Sequence, residues 1–176
     1  MILGLSTSSF TLVHVALSLI GILAGLVVVA GMLGAQRRPG WTALFLVTTV
    51  LTSVTGFFFP IAQLLPSHIV GVISLVVLAI ALVARYVKRL AGASRWIYVL
   101  AAMLALYLNV FVLVAQAFQK LPFLAPLAPT QSEPPFLYTQ LAVLALFVLL
   151  GLVAVFRFRP ETVQRTAAPD LRRAGS

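Results

Sequence analysis

Apolar residues fill this chain in five blocks separated by short polar or proline-bearing breaks. The blocks cover about 10–33, 41–63, 68–87, 96–118 and 136–156, each near the roughly 20 residues a helix needs to cross a bilayer. Strands of a membrane barrel would be about 10 residues long with period-two alternation, and no block reads that way. The pattern therefore predicts an all-α integral membrane protein with five transmembrane helices, residues 1–156 forming the bundle. The first block has no Lys or Arg ahead of it, and its apolar run exceeds the 7–15 residues of a signal sequence, so it reads as a permanent span. Residues 157–176 are basic and interrupted by Pro160 and Pro169, which predicts a disordered tail.

Within the blocks, small and polar residues recur at helical spacing. In the first, His14, Ser18, Gly21, Gly25 and Met32 fall on one stripe, and Gly21 with Gly25 forms a G-x-x-x-G that admits a close helix neighbour. The second carries Thr49, Ser53, Gly56, Pro60 and Gln63, with Pro60 expected to kink its end. Tyr98, Ala102, Ala105, Asn109 and Gln116 align in the fourth block, and Gln140, Leu144, Phe147 and Gly151 in the fifth. Gly21, Gly25 and Gly56 are the expected packing positions. The segment 119–135 holds five prolines, too many for a regular helix. It is also longer than most helix connections, which fits either a lid or an interfacial loop.

Composition sharpens the class. Of 176 residues 62% are hydrophobic and 9% charged, and the mean hydropathy is +1.13. A soluble domain of this size cannot bury so much apolar surface, and a disordered chain is excluded by the same figures. Twelve basic residues against three acidic ones give +9. Eleven of the twelve, all but Lys120, fall on one side of a five-span bundle. The positive-inside rule places that side in the cytoplasm and the N-terminus outside, and it accounts for the charge without nucleic acid. The tail's basic residues could in addition rest on anionic lipid, the partner such charges attract. The absence of cysteine removes disulfides, thiolate metal sites and thiol redox chemistry.

Polar side chains gather in one leaflet under this orientation. His14, Gln63, His68, Asn109, Gln116 and Gln140 all fall in the outer half, where Ser18 extends the His14 stripe; the inner halves are mostly Val, Leu, Ala and Gly. The spans hold no Asp or Glu, which disfavours a proton-coupled transporter. Two histidines with one loop Glu133 fall short of a hydrolytic metal site. An unpaired imidazole or amide in hydrocarbon is costly, so His14, Ser18, Gln63, His68, Asn109, Gln116 and Gln140 are expected to face a common pocket. His14 and His68, at similar depth on different helices, are also the pair that axial ligation of a b-type haem would use.

In Thr11-Leu12-Val13-His14 through Gly25, and in Pro66-Ser67-His68-Ile69-Val70-Gly71, the chain resembles small uncharacterised bacterial multispan inner-membrane proteins with paired outer-leaflet histidines. The resemblance implies a bacterial-type inner (plasma) membrane. The leading expectation is a non-catalytic accessory or assembly component, or a binder of an apolar ligand in the outer-leaflet polar pocket. Membrane lipid and other membrane subunits are the expected partners. The alternative is a haem b or quinone-linked electron-transfer or redox-sensing protein using His14 and His68, and a third is a small transporter.

Overall fold

A computed structural model describes residues 2, 4–59 and 66–159 of the chain. Helix α1 spans Thr7–Leu33, α2 Pro39–Gly56, α3 Pro66–Leu82, α4 Ser94–Lys120 and α5 Pro134–Arg157. A π-helical turn, Val83–Val87, prolongs α3, and a 3-10 turn, Ala125–Leu127, breaks the loop before α5. Among the described residues the only β-type pairing is an isolated bridge between Ile2 and Leu5.

Four helices, Thr7–Leu33, His68–Val87, Ser94–Lys120 and Pro134–Arg157, are long and apolar enough to cross a membrane. This fits a multi-pass membrane protein. Helix α2 is not among the four, because Thr42, Thr48, Thr49, Thr52, Ser53 and Thr55 dilute its apolar content. It also ends at Gly56, before the expected Gln63. Glycine is a weak helix former, and the residue before a proline is pushed out of the helical region. Phe57, Phe58 and Phe59 accordingly leave the helix ahead of Pro60. Gln63, the expected kink at Pro60 and the tail from residue 160 onwards lie outside the described residues.

Successive helices run antiparallel. Each packs on the next, and α4 also meets α1, while α1 meets α5. Helix α4 is therefore the centre of the bundle, and its Tyr98, Val99, Ala102, Ala105 and Leu106 are fully or almost fully buried. Phe45 and Leu46 of α2, Leu78 of α3 and Met32 of α1 complete the interior. Outward positions are as apolar as inward ones: Leu12, Leu23, Val47, Ile69, Val76, Leu149 and Phe156 are all exposed. In water such an exterior would be a continuous aggregation-prone patch, whereas hydrocarbon leaves it without penalty.

The helix ends are closed by specific bonds. Ser6 caps α1, its Oγ accepting from the Ser9 N–H at 3.1 Å. At the other end Gln36 N–H donates to Gly31 O at 2.8 Å and Ala35 N–H to Met32 O at 3.2 Å, the paired bonds of a Schellman motif. Gly34 precedes the turn, and it is Ala35 that carries the left-handed φ of 55°. A Cβ in that conformation is strained. Ala35→Gly should therefore stabilise the protein by about 0.5–1 kcal/mol, the relief of strain outweighing the added unfolded-state freedom; a thermal melt in detergent measures it.

The C-terminus of α5 is closed from another helix. Arg95, at the start of α4, donates from Nη1 to Val155 O at 2.9 Å and to Phe158 O. A guanidinium here satisfies carbonyls the helix leaves open and opposes its dipole.

Candidate functional site

The end of the bundle that holds the α1 N-terminus and the 121–133 loop carries most of the expected site residues. Helices α1, α2 and α4 come closest where α1 has glycine. A Cβ on Gly21 would lie 3.1 Å from the hydroxyls of Thr48 and Thr49 and 3.3 Å from Asn109 Nδ2. One turn on, a Cβ on Gly25 would lie 2.6 Å from Leu106 Cδ1 and 3.0 Å from the Phe45 ring. These contacts let polar groups on three helices reach one another. Ser18 donates to Asn109 Oδ1 at 2.9 Å, and Thr48 turns its hydroxyl back to Leu44 O at 2.7 Å. Asn109 Nδ2 and Thr49 Oγ1 are buried with no partner among the described residues.

His14 lies one turn before Ser18 and is half-buried. Its Nδ1 is 2.8 Å from Thr55 Oγ1, and that hydroxyl already donates to Leu51 O at 2.7 Å. The threonine proton being committed, Nδ1 must be the donor, which assigns the proton to Nδ1. The ring sits edge-on to Phe59, with centroids 5.2 Å apart, and Gly56 leaves room beside its Cε1 at 3.7 Å.

His68 is buried on the α3 flank of α2, against Phe57 at 5.9 Å between centroids. Neither of its nitrogens has a partner among the described residues. Gln140 of α5 is buried and donates from Nε2 to Phe111 O of α4 at 3.1 Å, while Gln116 is exposed.

Ser18 and Asn109 are thus joined directly, with His14 beside them on the same stripe. His68, Gln140 and Gln116 each have a different environment. Two cavities are described, and none of these residues lines either. The imidazoles of His14 and His68 are instead packed against Phe59 and Phe57 of the turn that follows α2. Each imidazole thus has its own phenylalanine neighbour. Among the described residues no three metal-ligating side chains come together.

Several contributors were not legible from the stripe pattern. Thr55 and Thr48 supply hydroxyls from α2, and Ser74 of α3 accepts from the stripe residue Ser53 at 3.1 Å. The signal for the two threonines was the serine and threonine run of the second block, 48–55, whose spacing puts hydroxyls on more than one face.

The loop before α5 folds along the end of α4. Gln131 donates to Ala115 O at 2.7 Å and accepts from Gln119 at 3.1 Å, while Phe123 and Leu127 point outward. The Glu133 carboxylate, slightly desolvated, accepts from the Thr130 hydroxyl at 2.9 Å and from the backbone N–H groups of Thr130 and Ser132. These bonds outweigh the desolvation and hold its pKa below the ordinary 4.5.

The larger cavity lies elsewhere, in the seam between α4 and α5. It measures about 200 Å³ and is walled by apolar groups, among them Met103, Leu104, Tyr107, Phe147 and Val148. Gly151 opens it, a Cβ there lying 3.8 Å from Met103. No protein family, curated protein or solved structure matches this chain.

Proposed function

We propose that the chain is a five-span protein of a bacterial-type inner membrane, N-terminus outside and residues from 157 onwards in the cytoplasm. It serves there as a non-catalytic accessory component that holds one apolar chain, a lipid acyl tail, in the α4–α5 groove. The groove carries this reading. It opens on the apolar exterior, and its 200 Å³ lies below the roughly 300–1,000 Å³ of drug-sized ligand sites. A slender hydrocarbon chain suits it; a porphyrin or a helix about 10 Å across does not. The polar side chains of the other half act as ties between helices rather than as a ligand pocket, since Ser18, His14 and Gln140 bond to neighbouring helices. Five crossings rather than four are supported by α2, which packs beside both α1 and α3, and by the segregation of all basic residues but Lys120.

Native mass spectrometry of the detergent-purified chain tests the groove. The unaltered protein should retain one lipid-mass adduct through delipidating washes. Gly151→Leu, which adds a side chain at a buried lining position of the groove, should lose that adduct while keeping its helical content. An adduct held equally by both proteins would remove the groove from the account.

A further inference from the structure

The opposite end of the bundle concentrates positive charge around a second, smaller cavity. It encloses about 10 Å³ and is lined by Gln36, Arg37, Arg38, Thr42, Arg85 and Tyr98, among others, so its enclosed part takes one water-sized group. Three arginines converge here, and of the chain's three acidic residues only Glu133 is among the described residues, at the other end of the bundle. Arg38 donates to Gln36 Oε1 at 3.2 Å, and the Arg85 guanidinium stands 5.3 Å from the Tyr98 ring centroid. Neither contact supplies a counter-charge.

Two independent features mark the place as more than a charged rim. Tyr98 is fully buried, at 0% exposure, and its hydroxyl has no hydrogen-bond partner among the described residues. The Thr42 hydroxyl nearby donates to Arg38 O at 2.9 Å. A buried phenol without a partner is unfavourable unless something else accepts from it. Arg85, moreover, is carried by the π-helical turn Val83–Val87, a rare distortion that recurs at functional sites.

We propose that this end binds a phosphate-type oxyanion. Tyr98 Oη donates to one of its oxygens at the cavity, and Arg37, Arg38 and Arg85 neutralise the remainder at the mouth. Guanidinium groups match phosphate geometry, and basic pockets between membrane helices suit lipid headgroups. The same chemistry is offered by a phospholipid headgroup and by free phosphate. The site shares no residue with the α4–α5 groove and stands or falls independently of it.

The test titrates the full-length chain in detergent with short-chain phosphatidic acid, short-chain phosphatidylcholine and inorganic phosphate, against sodium chloride of equal ionic strength. The same titrations on full-length Glu161→Gln/Asp170→Asn keep the chain's own carboxylates from masking the site. Binding of phosphatidic acid in preference to phosphatidylcholine and inorganic phosphate assigns a lipid headgroup; binding of inorganic phosphate with equal affinity assigns the free ion. Arg85→Gln should weaken binding about tenfold, as expected for losing a charge-assisted bond. Tyr98→Phe, which keeps the ring and every charge, should weaken it about fivefold without lowering the melting temperature of the ligand-free protein. Lys88→Gln, a basic residue at the same end outside the cavity, should change it less than about twofold. No binding of any phosphate compound, an unaltered affinity in Tyr98→Phe, or a loss in Lys88→Gln equal to that in Arg85→Gln would overturn the proposal.

Discussion

Gly25→Leu should yield almost no folded protein. The first added carbon already falls 2.6 Å from Leu106 Cδ1 and 3.0 Å from the Phe45 ring, and three more carbons follow it. Phe45 and Leu106 are themselves buried, on α2 and α4, so neither has free space to retreat into. Helix α1 must therefore move away from both neighbours at once. Overpacking by a few methylenes costs about 1–3 kcal/mol and occasionally more, and this site belongs at or above the upper end. Gly25→Ala should be milder, because the closest atom is the tip of a flexible leucine. Size-exclusion chromatography and thermal melting in detergent separate the two. Equal yield and melting of Gly25→Leu and the unaltered chain would mean that α1 does not pack here as described.

Asn109→Asp should be the second most damaging single change. The side chain keeps its shape but takes on a carboxylate, in the middle of α4, at 8% exposure and with no cation described beside it. A charged group at the centre of a membrane helix costs about 2.5–3.5 kcal/mol on insertion scales. The loss should be smaller in acid than at neutral pH, because the protonated acid is uncharged and resembles the amide. Asn109→Leu removes the bond to Ser18 without adding charge and should cost less, near the 0.6–1.7 kcal/mol measured for interhelical bonds in membranes. Melting of both variants between about pH 4 and 8 checks this. A pH-independent Asn109→Asp that melts like the unaltered protein would show that water reaches this position.

The helical character of the chain was plain in its apolar blocks, because their length and composition leave few alternatives. The α1 stripe was equally plain: His14, Ser18, Gly21 and Gly25 recur at helical spacing, and the structure turns that face toward α2 and α4. What the stripe could not say was which residues stand opposite. Thr55 beside His14, and Thr48 and Thr49 beside Gly21, depend on the rotation of α2 about its axis, which spacing within a helix does not encode. Equal depth likewise left open how His14 and His68 relate, and the aromatic turn after Gly56 packs against both rings. The early end of α2 was written in Gly56 and Pro60, but an apolar block overrides such punctuation to the eye. At the arginine end the basic residues had a sufficient topological explanation, so nothing singled out Tyr98, whose significance is the missing partner of its hydroxyl.

Because the chain contains no cysteine, single introduced cysteines read its path through the membrane without background. Ser8→Cys, Arg37→Cys, Arg89→Cys and Ser132→Cys, each exposed, bracket α1, the α2–α3 pair and α4 in turn. Labelling intact cells with a membrane-impermeant maleimide should modify Ser8→Cys and Ser132→Cys. It should leave Arg37→Cys and Arg89→Cys unmodified until the membrane is opened. The decisive pair is Arg37 and Arg89: with α3 long and apolar enough to cross, they lie on one side if α2 crosses as well and on opposite sides if it does not. Labelling of Arg89→Cys but not Arg37→Cys from outside would show that only one of α2 and α3 spans, and would contradict the five-span account.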